Sequence, residues 1–161
     1  METTPLRCLI LACGNPLRGD DGVGPHLAAW AEERFVGTPG LRIISRQQWT
    51  PELAADLAQA EAAIFIDCSV AMPPGTTILA QVAPARKTDA PATHQLDATE
   101  LLELTNELYA SLPRSALLLT IGAGSVELHE GFSEAVAAAL PAAQTLLEET
   151  VLRLLGKTQP V

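Results

Sequence analysis

Aromatic side chains are scarce in this chain. Its 161 residues hold only two Trp, one Tyr and three Phe. Positive charge is short as well: 10 Lys and Arg stand against 19 Asp and Glu, a net charge of −9. That argues against nucleic acid as a partner, because such binding rests on basic patches that neutralise phosphates. Cysteine is limited to Cys8, Cys13 and Cys68, which fit neither a disulfide framework nor a CxxC zinc spacing. No apolar run approaches the ~20 residues needed to cross a bilayer, and Met1 to Arg7 lacks the charged-then-apolar order of a signal peptide. These absences predict a cytoplasmic protein that neither enters the membrane nor binds nucleic acid.

What the chain does have is aliphatic residues in short, ordered runs, with nearly half of all positions apolar. The length suits a single domain over 1–161 with a real core. Arg7 to Ala12 (RCLILA) reads as a strand buried on both faces. Val23 to Phe35 reads as an amphipathic helix, with Pro25 in its first turn. Leu41 to Ser45 is a second strand, and Thr50-Pro51-Glu52 starts a second helix with Thr50 as its cap. Ala62 to Ile66 is a third buried strand, running out on Asp67. Thr76 to Val82 is a fourth, reached without a helix, which suggests an antiparallel edge. Pro84 to Thr93 is polar and irregular, and suits a mobile loop. Asp97 with Glu100 makes a capping box for a helix to about Ala110. Ser115 to Ile121 is a fifth strand, and Ser133 caps a closing helix to about Leu155, bent near Pro141. Strands alternating with helices predict an α/β fold: three layers, doubly wound, with a mostly parallel five-stranded sheet.

The stretch Leu9 to Gly24 (LILACGNPLRGDDGVG) organises the rest. Strand, tight loop and helix follow one another, with Asp20 and Asp21 side by side before the helix. One of the two is expected to cap that helix, since a carboxylate accepts free N–H groups and suits the helix dipole. The other is then available for chemistry. In doubly wound sheets the loops after strands one and three meet at the switch point where ligands bind, which brings Asp21 and Asp67 toward one crevice. His94 stands at the end of the long loop and can reach the same place. Two carboxylates and an imidazole form a mixed O/N ligand set for a divalent metal, with coordination positions left open.

Four stretches in order carry a resemblance: GNPLRGDDGVG, the strand ending in Asp67 with PGT beyond it, His94-Gln95-Leu96, and GAGSVELHEGFSEAV. Together, over roughly residues 7 to 155, they resemble the hydrogenase maturation proteases, endopeptidases that trim the C-terminus of [NiFe] hydrogenase large subunits. The resemblance implies a catalytic and metal-recognising set of Asp21, Asp67 and His94, with Asp20 left structural. It also implies that the nickel is carried by the substrate, ligated by cysteines of the large-subunit precursor, and that the enzyme holds no tight metal of its own. Gln47-Gln48-Trp49-Thr50 departs from the Asp-Gly-Gly-Thr loop of many members. It suits the branch serving soluble, cofactor-linked hydrogenases, with Trp49 placed either on a contact surface or folded back onto the second helix.

Two other readings share the same residues. Cys68 with His94 would make a thiol hydrolase, since an activated Cys needs a nearby base, although a Cys directly after a buried strand is more often a packed hydrophobe. Asp20, Asp21 and Asp67 imitate a receiver-like signalling domain that binds Mg²⁺ and accepts phosphate. That reading wants a Lys after the fifth strand, where Gly122-Ala123-Gly124-Ser125 stands instead.

Overall fold

The computed structural model describes residues 4–86 and 95–156. Five strands, β1 (Cys8–Cys13), β2 (Leu41–Arg46), β3 (Ala62–Ser69), β4 (Thr77–Gln81) and β5 (Ser115–Gly122), form one sheet in the order β2-β1-β3-β5-β4. All pairings are parallel except β4 with β5, so the strand reached without a helix is indeed the antiparallel edge. The expected loop over 84–93 falls mostly on residues outside those described, as does His94.

Alternation along the central strands builds two cores. Cys8, Ile10 and Ala12 of β1 and Ile64 and Ile66 of β3 face α1 (Val23–Arg34) and α4 (Glu134–Leu154). Leu9, Leu11 and Cys13 with Ala63 and Phe65 face α2 (Ala54–Gln59) and α3 (Ala98–Tyr109). Every residue of β1 is buried, as a continuous apolar run in a sheet covered on both faces requires. Leu27 and Ala31 of α1, and Leu147 and Val151 of α4, recur at helical spacing within the first core.

The capping box of α3 forms as expected: Asp97 Oδ1 accepts from Glu100 N at 2.9 Å, and Asp97 N donates to Glu100 Oε1 at 3.2 Å. Ser133 caps α4, which runs through Pro141 as one helix. Thr50 differs from expectation. The second helix opens with a 3₁₀ turn over Pro51–Leu53, and the Thr50 hydroxyl bonds Glu52 Oε1 rather than a backbone N–H.

Trp49 is 5% exposed and packs edge-on against Phe65, with ring centroids 5.2 Å apart. It packs into the core beside Leu53, as the folded-back alternative expects, and what surface it keeps lines, with Gln47 and Gln48, the cavity at the rim of the sheet. The indole fills space that an aliphatic core leaves open, at the cost of an Nε1–H without a partner among the described residues.

Two glycines set how β1 turns into α1. At Gly14, with φ of +146°, a Cβ would lie 1.9 Å from the Asp21 carbonyl oxygen, so the loop can close on itself only there with glycine. At Gly24 a Cβ would meet the Cys13 carbonyl oxygen at 2.4 Å, so the helix start can sit directly against the strand end. Asp21 is thereby drawn back over the rim of the sheet.

Candidate active site

Neither acid of the Asp20-Asp21 pair caps α1. Both lie in a 3₁₀ turn (Gly19–Gly22), and the N-cap of α1 is Gly22, with no side-chain cap bond. The turn points the two carboxylates to different places, and each finds donors nearer than the helix N–H groups.

Asp20 is fully buried. Its Oδ2 accepts from Gly124 N at 2.6 Å, Ser125 N at 3.2 Å and Ser133 Oγ at 2.7 Å. Its Oδ1 accepts from Ser133 N at 2.8 Å. One carboxylate thus fastens the loop after β1 to the loop after β5 and to the start of α4. Burial alone would raise its pKa, but the bonds from Ser133, Gly124 and Ser125 outweigh it and hold the carboxyl below the usual range. The same seam carries backbone bonds: Gly19 N to His129 O, Asp20 N to Ser125 O and His129 N to Leu17 O.

Asp21 faces the other way, into a cavity of about 440 Å³. Its Oδ2 accepts from Asn15 N at 2.7 Å, within its own loop, and its Oδ1 accepts from the Cys68 thiol at 3.4 Å. Asp67 lines the same cavity from the last turn of β3, two residues before the strand ends. Its Oδ1 accepts from Cys68 N at 2.8 Å, and the Cys13 thiol bonds its carboxylate. Burial pushes Asp67 up to about 6, against the pull of those bonds, and the neighbouring Asp21 charge adds to the rise. Donor atoms of Asp21, Asp67 and Cys68 all lie within 4.8 Å of one another. Two carboxylates and a thiol at that spacing suit a divalent transition metal better than a hard cation wanting six or more oxygens.

The sheet therefore brings Asp21 and Asp67 together at its carboxyl rim, as the topology predicts. Gln95, Leu96 and Asp97, just before α3, line the same cavity, while His94 itself lies outside the described residues. Sequence reasoning did not place three groups at this cavity, Cys13, Asn15 and Arg18, and it weighed Cys68 as a nucleophile beside His94 rather than as a thiol donor to Asp21. The period-2 alternation of β1 and β3 could have shown that Cys13 ends β1 on the rim. The path of the 14–22 loop had no such signal.

The surroundings of Cys13 and Cys68 favour the neutral thiol over a nucleophile. Burial first, then the charges of Asp21 and Asp67, drive the Cys68 thiol far above its ordinary value, and burial does the same to Cys13. A thiol held neutral by two carboxylates is a hydrogen-bond donor, not the thiolate that attack requires. The Mg²⁺ triad of a receiver fails too, because all the hydrogen bonds of Asp20 are spent on the other side of the loop.

No family model matches the chain. A curated relative, the hydrogenase 2 maturation protease of Escherichia coli strain K12, is 28% identical over 150 residues, covering 88% of this chain and 89% of the relative. The hydrogenase-maturating endopeptidase HybD of E. coli superposes with a TM-score of 0.73 at 23% identity, over 91% of this chain and 92% of that one. The [NiFe] hydrogenase maturation protease HycI of Thermococcus kodakarensis KOD1 gives a TM-score of 0.65 at 25% identity, over 94% of each. Over nearly its whole length the chain is thus similar in sequence to a hydrogenase maturation protease, and it shares the fold of solved proteins of that kind.

Proposed function

We propose that this chain is an endopeptidase that removes the C-terminal extension of a [NiFe] hydrogenase large-subunit precursor once nickel has been inserted. The observation that carries the reading is the pairing of Asp21 and Asp67 in one cavity at the carboxyl rim of the sheet, in a chain similar along nearly its whole length to such proteases. The nickel belongs to the substrate. Held by cysteines of the precursor, it takes up Asp21, Asp67 and His94 as further ligands, so that the metal is what the enzyme recognises.

Docking on the metal fixes the scissile peptide against the cavity, and this turns a diffusional encounter into a held geometry. The nickel can polarise a carbonyl or acidify a water. The enzyme's own residues prepare the ligands. Asn15 N and the Cys68 thiol orient Asp21, while Cys68 N and the Cys13 thiol orient Asp67. Such outer hydrogen bonds set the direction of carboxylates before a metal arrives. Among the described residues no helix is long and apolar enough to cross a membrane, which fits work on a precursor in the cytoplasm.

The test is incubation with nickel-loaded and nickel-free precursor, read by intact mass. Loaded precursor should lose its extension and nickel-free precursor should stay whole. Equal cleavage of both removes nickel recognition from the account.

A further inference from the structure

The cavity wall carries three carboxylates, Asp21, Asp67 and Asp97, and among the described residues one cationic side chain, Arg18. Arg7, Arg34, Arg42 and Arg86 each pair with a carboxylate; Arg18, like Arg46, Arg114 and Arg153, makes no ion pair among the described residues, and of these four it alone lines the cavity. Its Nε instead donates to the carbonyl oxygen of Val126 at 3.0 Å, and Val126 is itself part of the cavity wall. The backbone of Arg18 is fixed as well: its N–H donates to Asn15 O, and its carbonyl accepts from Asp21 N. A guanidinium beside so many acids would be expected to fold onto one of them. The Val126 tether holds its Nε, so its terminal amino groups remain as a planar fork with no carboxylate of the described residues in it.

The reaction supplies what such a fork takes. Hydrolysis forms a C–O bond to the carbonyl carbon and breaks the C–N bond. Both protons of the water end on the amine, which leaves as an ammonium, and the peptide ends in a carboxylate. Negative charge therefore grows on the carbonyl-derived oxygens beside Asp21 and Asp67, which repel it. Arg binds a two-oxygen anion bidentately and stays charged at every working pH. We propose that Arg18 is the group that holds these oxygens, first as the oxyanion forms and then as the carboxylate of the new C-terminus. This rests on the peptidase reading above.

The test has two arms, and wild-type processing of nickel-loaded precursor is the control for the reading itself. With the cleavage point mapped by mass, an acetylated peptide copying the mature C-terminus is prepared as the free acid and as the amide. Wild type should bind the acid at least ~10-fold more tightly than the amide, R18Q should bind both alike, and R18K should restore part of the preference. In processing, R18Q should lower kcat by ~10²-fold, the scale seen when one oxyanion donor is removed, with a smaller change in KM. A wild type without acid preference, or an R18Q protein that keeps it, overturns the assignment while leaving the peptidase reading intact. So does an R18Q protein that melts early and loses acid and amide binding equally, because the residue then serves only to tie the loop to Val126. A wild type that cleaves no precursor overturns both.

Discussion

Asp20 and Asp21 are neighbours in the chain and opposites in the structure. Asp20 lies on the inner side of the 14–22 loop, fully buried, with three N–H groups and a hydroxyl on its two oxygens. Asp21 lies on the cavity side with one backbone donor and one weak thiol donor. A buried carboxylate whose hydrogen bonds are complete serves the fold, and its energy is spent on holding segments together. A carboxylate left with spare lone pairs beside a second acid is arranged for something that arrives later. The inner side of the loop is a rivet, and the outer side is a socket.

Substitutions should separate the two sides by orders of magnitude. Asp21→Ala should abolish processing of nickel-loaded precursor, a loss of at least ~10³-fold, while the melting temperature moves by only a few degrees. Asp20→Ala should do the reverse. It strands three N–H groups and the Ser133 hydroxyl without an acceptor, a cost of ~3–5 kcal/mol, or a fall in melting temperature on the order of 10 °C. Its processing rate, measured well below that midpoint, should fall less than that of Asp21→Ala. Were the two variants to lose activity equally while both stayed folded, the division between rivet and socket would be wrong.

Smaller effects sharpen the same contrast. Trp49→Phe gives up part of the indole's buried area but removes an N–H that has no partner among the described residues, so thermal unfolding should register a cost under ~1.5 kcal/mol. Precursor binding should change little, because only 5% of the residue is exposed where it lines the cavity. Trp49→Ala should cost ~3–5 kcal/mol at the same site. Cys68→Ser should have the least effect, since a hydroxyl donates to Asp21 as a thiol does; a folded but inactive Cys68→Ser protein would bring the thiol mechanism back.

The architecture was legible because it depends on periodicity and on local caps. The continuous apolar runs of β1 and β3, the capping box at Asp97 and Ser133 ahead of α4 are each written in a few adjacent residues. So was the meeting of Asp21 with Asp67, which follows from strand order alone. The role of Asp20 was not legible, for its partners lie 104 to 113 positions away, and no local pattern shows which distant N–H groups a carboxylate will find. Trp49 was ambiguous for a similar reason: its pocket is made by Phe65 and Leu53, from elements on either side of it. Cys68 alone suggests a packed residue or a nucleophile, and Cys13 carries no local signal; both pack, and their positions near the strand ends also put them beside the acids.

The most direct measurement concerns Asp67, the carboxyl raised to about 6. Unfolded, this group loses its proton near ~4, so between about 4 and 6 the native state holds more protons than the unfolded one. Its contribution to stability is then full below ~4 and is lost as pH rises through about 6. Asp20 acts in the opposite sense, with its stabilisation present above ~4 and lost as pH falls through its depressed folded value. Asp67→Asn keeps the acceptor for Cys68 N and removes the charge that burial penalises. Denaturant unfolding at pH 7 and processing of nickel-loaded precursor, made on one preparation, test whether the cavity acids are kept for function at a cost to the fold. The account predicts a protein more stable than wild type by ~1–2 kcal/mol at pH 7, without that gain at pH 4, and unable to process precursor. An Asp67→Asn protein that is less stable at pH 7, or one that processes precursor normally, would contradict it.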